Sequence, residues 1–211
     1  MSRRLTGIYG ILPDGLETDD LLEKAEQAMK GGIRILQLRD KKLGFRKVLQ
    51  RARSLRELTS RHHSRLIIND SVQIAIESEA DGVHLGREDE ALQLAKLRQD
   101  IGDKLLIGIT CRADAGFAKF VLESGADYVS FGAIWATHSK PEVPEIGLPR
   151  LVKARQMFPA ANICAIGGIN CERLAEIKAA GADCAAVISG LFAARDIEAE
   201  ARAMVSAWGE A

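Results

Sequence analysis

Charged side chains stand directly after short apolar runs at several points along this chain. Arg39, Lys41 and Lys140 supply cations, and Asp70 and Asp89 supply carboxylates at the same kind of position. The ends of parallel strands converge on one face of a sheet or barrel, so these groups can meet. Clustered cations bind a polyanion, and carboxylates bind a divalent metal beside phosphate. The pattern predicts an enzyme that handles phosphates together with a metal ion.

The cationic part begins at the end of the second apolar run, where Gln37, Arg39 and Lys41 occupy alternate positions. In an extended strand, a spacing of two places side chains on the same side. A buried amide beside two cations is unfavourable unless an anion or a hydrogen-bonding group fills the space. The competing interpretation is a solvated polar turn, but the apolar run before it favours a binding role.

The carboxylates follow the third and fourth apolar runs. Asn69 and Asp70 precede Ser71, and all three residue types cap helices well, so capping alone would explain them. Asp89 likewise stands where acidic residues favour a helix N-terminus. Together, on adjacent loops, Asp70 and Asp89 offer two oxygen ligands of the kind that Mg²⁺ uses alongside water and substrate phosphate. Glu88 is an alternative ligand that spacing does not exclude.

Three further features follow the sixth, seventh and eighth apolar runs. Lys140 lies in the long connection between residues 132 and 147, which can also be read as an ordinary polar loop. Gly167 and Gly168 form a turn where a phosphate can approach bare backbone N–H groups, and Ser189 can begin a helix. Because the loops after strands seven and eight of (β/α)8 barrels often bind phosphate, the last two features predict a phosphate site.

These residues need a scaffold that brings eight strand ends together. Short apolar runs alternate with amphipathic segments from end to end, which predicts eight strands and eight helices. The second strand is expected to begin at Ile33 and the fifth to end at Ile109. Runs without polar alternation are typical of strands covered on both faces. The sequence therefore predicts one α/β domain over residues 1–211, a single (β/α)8 TIM barrel.

A faint internal repeat marks the opposite end of the predicted barrel. Asp81, Asp127 and Asp183 each follow a small residue and stand just before the fourth, sixth or eighth strand. A small residue followed by Asp suits the end of a helix and the turn into a strand. We interpret these aspartates as structural residues outside the functional site.

Composition excludes several classes of function. Lys plus Arg equals Asp plus Glu at 29 each, which argues against a general nucleic-acid or membrane binder. No apolar run reaches the roughly 18 residues of a membrane span. Cys111, Cys164, Cys171 and Cys184 lack C-x-x-C spacing, which favours free thiols and a reducing, cytoplasmic location. The sequence does not indicate an oligomeric state.

Seven short motifs occur in order along nearly the whole chain. They are Gln37-x-Arg39-x-Lys41, Ile67-Ile68-Asn69-Asp70, Asp81-Gly82-Val83-His84-Leu85-Gly86-x-x-Asp89, Ile107-Gly108, Asp127-Tyr128-Val129 with Gly132, Thr137-x-Ser139-Lys140-Pro141 and Ala165-Ile166-Gly167-Gly168-Ile169. Each motif is short, but seven in register are highly specific. This ordered set resembles the thiamine phosphate synthase family.

The resemblance implies an enzyme with two small phosphorylated substrates. It would join 4-amino-2-methyl-5-hydroxymethylpyrimidine diphosphate to 4-methyl-5-(2-hydroxyethyl)thiazole phosphate, which gives thiamine phosphate and pyrophosphate. In that family, ionisation of the bond between the pyrimidine methylene and the diphosphate is thought to come first. The thiazole nitrogen then traps the resulting cation.

The same resemblance implies roles for particular residues. Asp70 and Asp89 would hold Mg²⁺ on the diphosphate, whose oxygens Arg39, Lys41 and Lys140 would bind. The other expected substrate contacts are Gln37 and Asn69 on the pyrimidine side, Thr110, and, around the thiazole phosphate, Thr137, Ser139, Gly167, Gly168, Ile188 and Ser189. Thr110 and Ser139 replace a serine and a threonine that are usual in the family, and both keep the hydroxyl.

Two alternatives stay open beside the synthase. A thiazole tautomerase on the same barrel would need the thiazole phosphate site but no diphosphate site. The intact set of diphosphate-binding candidates argues against it: Arg39, Lys41, Asp70, Asp89 and Lys140. A non-catalytic sensor of thiamine phosphates could lose its metal ligands, and here both candidate ligands are present. The roles of His84 and His138 are not assigned.

Overall fold

The computed structural model describes residues 3–87, 93–137 and 143–209. In this part of the chain, eight parallel strands pair in sequence order and close into a barrel, which confirms the predicted single (β/α)8 fold. The strands are β1 (Gly7–Ile11), β2 (Ile35–Leu38), β3 (Arg65–Asn69), β4 (Gly82–Leu85), β5 (Leu106–Arg112), β6 (Tyr128–Phe131), β7 (Ile163–Ile166) and β8 (Cys184–Val187). The helices are α1 (Thr18–Lys30), α2 (Phe45–Arg61), α3 (Val72–Glu77), α4 (Leu94–Ile101), α5 (Ala115–Glu123), α6 (Gly147–Met157), α7 (Leu174–Ala179), α8 (Ser189–Phe192) and α9 (Ile197–Trp208).

Two groups of buried apolar side chains hold the barrel together. Successive residues of a strand point to opposite faces, so Ile35 and Leu106 fill the interior of the barrel while Leu36 and Ile107 pack outwards against the helices. Because protein covers both faces, the strands read as continuous apolar runs in the sequence. Within the described ranges, none of the helices combines the length and the apolar character needed to cross a membrane.

Some details of the elements differ from the sequence prediction. β2 begins at Ile35 instead of Ile33, because the N–H of Ile33 donates to the carbonyl of Ala28 (3.1 Å) and so completes the end of α1. A short helix, α8, begins at Ser189 directly after β8, which confirms Ser189 as a helix start but adds a helix to the eight that were predicted. The described residues therefore contain nine α-helices, one more than predicted, and the extra helix follows a strand end that faces the predicted site.

The aspartates before β4, β6 and β8 connect neighbouring strands at the amino-terminal face of the barrel. Asp127 accepts a hydrogen bond from the N–H of Ile107 (2.7 Å) and forms an ion pair with Arg98. Asp81 and Asp183 repeat this arrangement, which confirms that the three residues are structural. Their partners are Leu66 and Arg56 for Asp81, and Ile163 and Arg155 for Asp183.

We expect Asp183→Asn to lower the free energy of unfolding by about 2 kcal/mol near neutral pH. Burial acts to raise the pKa of Asp183, but the hydrogen bond from the Ile163 N–H and the ion pairs with Arg4 and Arg155 outweigh it, so the pKa falls below 3.8. A lowered pKa in the folded state stabilises the protein above pH 3.8 and loses that contribution as the pH falls further. Urea unfolding of the parent and of Asp183→Asn, each at about pH 7 and about pH 3, measures the difference in the free energy of unfolding.

Asp103→Asn is the matched control, because the Asp103 side chain is 88% exposed in its ion pair with Arg3. It should change the free energy of unfolding by less than about 0.5 kcal/mol. If the Asp183→Asn deficit is as large at pH 3 as at pH 7, the charge of Asp183 is not the source of its stabilising effect.

Candidate active site

A cavity of about 760 Å³ opens at the carboxyl-terminal face of the barrel, where the loops after the strands meet. It collects the predicted residues from six strand ends into one site, as the sequence analysis requires. Those that line it are Gln37, Arg39, Lys41, Asn69, Asp70, Thr110, Thr137, Gly167, Gly168, Ile188 and Ser189. The convergence of parallel strand ends thus brings together residues that are up to 152 positions apart, from Gln37 to Ser189.

Three of the predicted site residues lie outside the described ranges. They are Asp89, for which a metal-binding role was predicted, and Ser139 and Lys140, for which phosphate contacts were predicted. Glu88 and His138 lie outside them as well. The assignments of these residues stay predictions from the sequence.

A second concavity, of about 420 Å³, lies at the amino-terminal face of the barrel. Its arginines have structural partners: Arg56 pairs with Asp81 (2.9 Å), and Arg34 donates to the backbone carbonyls of Met29 and Ile33. We assign this region to the scaffold, because its charged groups already tie helices to strand ends.

Cations outnumber carboxylates on the wall of the larger cavity. Among its described lining residues, Asp70 is the one carboxylate, against five cationic side chains. Such a surplus favours a ligand with several negative charges, because a partly enclosed wall screens the attraction less than bulk water does. The cations are Arg39, Lys41, Arg87, Arg112 and Arg173.

Arg39 is held by a partner that sequence reasoning did not identify. Its guanidinium pairs with Asp14, which lies in the loop after β1, and only 21% of the Arg39 side chain is exposed. The second carboxylate oxygen of Asp14 is buried without a hydrogen-bond partner in the described part of the chain. The ion pair fixes a planar donor group on the cavity wall, where it can bind phosphate oxygens through two bonds.

Asp70 is available as a ligand because a neighbour caps the following helix. Ser71 directly precedes α3 and accepts a hydrogen bond from the N–H of Ile74 (3.2 Å), so the predicted capping role belongs to Ser71. The carboxylate of Asp70 instead contacts the ammonium group of Lys41 at 3.1 Å, and about half of each side chain is exposed. The backbone of Asp70 has a positive φ of 63°, which turns the chain sharply after β3.

The same carboxylate fits one part of a magnesium site. Mg²⁺ is usually bound by one or two carboxylates together with waters and substrate phosphates, so a complete cage of protein ligands is not needed. Residues 3–87, 93–137 and 143–209 contain no group of three or more His, Cys, Asp and Glu side chains able to hold a metal by themselves. Asp70 on a cationic wall matches a metal that arrives with a phosphorylated ligand.

The glycine pair after β7 forms a turn in which a residue with a side chain would be strained. Gly167 and Gly168 have φ values of 103° and 64°, and a Cβ atom on Gly168 would lie 2.7 Å from the carbonyl oxygen of Ala136. Arg173 donates to the carbonyl of Gly168 and stacks over the ring of Trp135, 4.5 Å from its centroid. These contacts hold the turn against the loop that leads to Thr137.

A chain of hydrogen bonds crosses the barrel at the floor of the cavity, which four of its five residues line. Nε2 of Gln37 donates to the Tyr9 hydroxyl (2.7 Å), which lies 3.1 Å from the hydroxyl of Tyr128. The Tyr128 hydroxyl lies 2.9 Å from Nδ1 of His84, and Nε2 of His84 lies 2.9 Å from the hydroxyl of Thr110. Burial raises the pKa of both tyrosines well above the ordinary value, so both are neutral hydroxyl groups.

Sequence reasoning missed several of these residues. Tyr9 and Tyr128 stand inside strands that were read as uniformly apolar, and His84 was left unassigned. A phenol in a buried strand was the available signal, since a buried hydroxyl requires a partner. Arg112 was missed because β5 runs to this residue, three positions beyond its predicted end at Ile109.

The known proteins that are similar to this chain in sequence share one enzyme name. A family model described as thiamine monophosphate synthase matches residues 8–191. The thiamine-phosphate synthase of Thioalkalivibrio sulfidiphilus is 42% identical over 204 residues, which cover 96% of this chain and 95% of that protein. The enzyme of the same name from Bordetella bronchiseptica is 41% identical over 207 residues, covering 96% and 94%.

A solved structure agrees with the sequence comparisons. The thiamine phosphate pyrophosphorylase from Pyrococcus furiosus superposes with a TM-score of 0.86 at 28% sequence identity. The match covers 99% of this chain and 98% of that structure. The similarity therefore extends over nearly the whole length of both chains.

Proposed function

This chain belongs to the thiamine monophosphate synthase family, and we propose on that premise that it condenses the pyrimidine diphosphate with the thiazole phosphate to form thiamine phosphate and pyrophosphate. One observation carries the proposal within the site. A single cavity joins the cationic wall at Arg39 and Lys41 to the glycine turn at Gly167 and Gly168, so two phosphorylated molecules can meet in it. The comparisons give no support to the tautomerase alternative.

The chemistry requires charge stabilisation more than proton transfer. The carbon–oxygen bond between the pyrimidine methylene and the diphosphate breaks, and its electron pair leaves with the oxygen. The lone pair of the thiazole nitrogen then forms the new carbon–nitrogen bond, and no proton is lost. Arg39 and Lys41 act by binding the oxygens on which negative charge accumulates, an effect that prearranged donors exert strongly. We assign the same role to Lys140 from its sequence position.

We propose Mg²⁺ as the cofactor, held by Asp70 and Asp89 together with the diphosphate. Asp70 supports this assignment because Ser71 relieves it of helix capping and because its carboxylate lies on the cationic wall. When bound, the ion would neutralise charge on the leaving pyrophosphate. Lys41, which contacts Asp70, would stay close enough to share the same phosphate oxygens.

We propose that the thiazole phosphate binds at the opposite side of the cavity. Gly167 and Gly168 bring backbone close to the cavity, and Ile188 and Ser189 line the adjoining wall. Thr137 supplies a hydroxyl-bearing side chain on the same wall, and Ser139 is expected to add another. On the pyrimidine side, Gln37 and Asn69 offer amide groups near the floor of the cavity.

We further propose a cytoplasmic location. All four cysteines are free thiols, and three of them are buried. Burial raises the pKa of Cys111 to about 12, which keeps this thiol protonated and unreactive. Unpaired cysteines of this kind are typical of reducing compartments.

The function is tested by following both products with purified protein and Mg²⁺. We expect thiamine phosphate and pyrophosphate to appear in equal amounts when both substrates are present, and neither product with one substrate alone. Calorimetric binding of each substrate to the same protein is the companion measurement. Binding of the thiazole phosphate with no product from the complete mixture would reject the synthase.

A further inference from the structure

The hydrogen-bonded chain at the floor of the cavity joins two residues that were predicted to contact substrate. It runs from Gln37 on β2 through Tyr9, Tyr128 and His84 to Thr110 on β5. Gln37 is 2% exposed, and both tyrosines are 1% exposed or less. Each contact in the chain is between 2.7 and 3.1 Å long. Five polar side chains therefore form hydrogen bonds with one another inside the barrel, where packing alone would favour apolar side chains.

The strand register builds this chain. Tyr128 of β6 pairs with Gly108 of β5, and Gly108 pairs in turn with His84 of β4. A Cβ atom on residue 108 would lie only 2.0 Å from the Tyr128 ring, so the glycine leaves the space across which the phenol reaches His84. The rings of Tyr9 and Tyr128 meet edge to face with centroids 6.2 Å apart. Packing thus fixes the middle of the chain.

We assign the hydrogens of the chain in the direction that gives both phenols an acceptor, starting from the Gln37 amide. Because Gln37 donates to Tyr9, we direct the hydrogen of Tyr9 to Tyr128 and that of Tyr128 to Nδ1 of His84. In this assignment His84 carries its hydrogen on Nε2 and donates to the oxygen of Thr110. This direction gives each phenol hydrogen an acceptor, which matters because an unpaired buried group is costly. The Thr110 hydroxyl hydrogen and the Gln37 side-chain oxygen are left to face the cavity.

Those two groups match one edge of an aminopyrimidine. A ring nitrogen accepts a hydrogen bond, as the Thr110 hydroxyl requires, and an exocyclic amine donates one, as the Gln37 oxygen requires. In the 4-oxo counterpart, the exocyclic oxygen accepts a hydrogen bond and the adjacent ring N–H donates one. The Gln37 oxygen would then face an acceptor and the Thr110 hydroxyl hydrogen would face a donor, so neither could pair. Sites built on such fixed polar groups discriminate strongly against analogues that mismatch them.

We propose that Tyr9, Tyr128 and His84 are positioning residues that orient Gln37 and Thr110, and that they thereby select a 4-aminopyrimidine over its 4-oxo counterpart. The inference rests on the proposed function, since it names the residues that recognise one substrate of that reaction. None of the three is assigned a bond-making or bond-breaking step. They act through the amide and the hydroxyl that face the cavity.

Tyr128→Phe tests the inference because it removes the hydroxyl and keeps the ring that packs over Gly108. We expect kcat/KM for the pyrimidine diphosphate to fall about 10- to 100-fold, the effect of leaving buried polar groups unpaired. The preference for the amino substrate over its 4-oxo analogue should fall by a similar factor, while the KM for the thiazole phosphate stays unchanged. Steady-state kinetics with both pyrimidines measure these values.

Two further variants separate positioning from a loss of stability. Thr59→Val removes a buried hydroxyl on α2 that donates to the carbonyl of Arg56, far from the cavity, and should keep the parent selectivity. Tyr9→Phe combined with Tyr128→Phe should cost little more than Tyr128→Phe alone, because the first break already disconnects the chain. Purely additive losses, or parent selectivity in Tyr128→Phe, would overturn the inference.

Measurements on the parent protein distinguish a failure of this inference from a failure of the proposed function. If the parent makes no thiamine phosphate, the proposed function fails, and calorimetry with the amino and oxo pyrimidine diphosphates still decides the inference. A parent preference for the amino compound that Tyr128→Phe abolishes supports the positioning role. Equal binding of the two compounds by the parent rejects it.

Discussion

Arg39→Ala is expected to lower kcat about 100- to 1,000-fold, with a smaller change in the KM for the thiazole phosphate. Arg39 is largely enclosed and is held in place by Asp14, so its guanidinium is oriented before the substrate binds. A prearranged donor that meets charge developing on the leaving group contributes about this much to the rate. Steady-state kinetics, with each substrate varied in turn, measure the two effects.

Two companion variants sharpen the test of Arg39. Arg39→Lys keeps the charge but loses the planar pair of donors, and it should recover only part of the lost rate. Lys42→Ala removes an exposed cation three positions along the chain that does not line the cavity, and it should leave kcat unchanged. An equal loss in Arg39→Ala and Lys42→Ala would mean that general electrostatic attraction, not a contact with the diphosphate, explains the result.

The sequence was sufficient to predict the barrel and the side of it that carries the site. Apolar runs that alternate with amphipathic segments require strands covered on both faces, and parallel connections place their carboxyl ends together. The spacing of Gln37, Arg39 and Lys41 identified one wall of the cavity before the fold was known. The local pattern was sufficient for this prediction because alternate residues of a strand point to the same face.

The interior of the barrel could not be predicted in the same way. Strand periodicity shows that Tyr9 and Tyr128 are buried, but it does not show whether they point inwards or towards the helices. Which inward side chains touch depends on closure of the barrel, which brings β1, β4 and β6 within reach of one another. The chain from Gln37 to Thr110 is therefore a tertiary feature, and the apolar reading of the strands concealed it.

Long-range ion pairs were hidden for a related reason. Asp14 and Arg39 are separated by 25 positions and meet only because β1 and β2 are neighbours. By contrast, Ser71 could be recognised as a cap from local sequence, and the structure separates its role from that of Asp70. Local chemistry thus identified residues at the strand ends, but it did not show which side chains of neighbouring loops pair with each other, as Asp14 and Arg39 do.

Asp70→Asn is expected to lower kcat/KM at least about 100-fold and to weaken the response of the enzyme to Mg²⁺. Loss of residues that merely support metal ligands reduces affinity or activity about 10- to 100-fold, and a direct ligand should matter no less. The substitution keeps the size of the side chain but removes the charge that binds both the metal and Lys41. Magnesium titration of the rate, and calorimetry with Mg²⁺ and pyrophosphate, measure the change.

The contact with Lys41 suggests a second role for Asp70, which is to hold Lys41 in place. The same experiment distinguishes this role from metal binding. If Asp70 only holds Lys41 in place, Asp70→Asn should bind Mg²⁺ with pyrophosphate as the parent does, and Lys41→Ala should reproduce its kinetics. If Asp70 binds the metal, the magnesium concentration for half-maximal rate should rise in Asp70→Asn and stay nearly constant in Lys41→Ala. Asp100→Asn, which changes an exposed carboxylate on α4, should alter neither quantity. The metal dependence, not the loss of rate, therefore decides between a ligand and a support for Lys41.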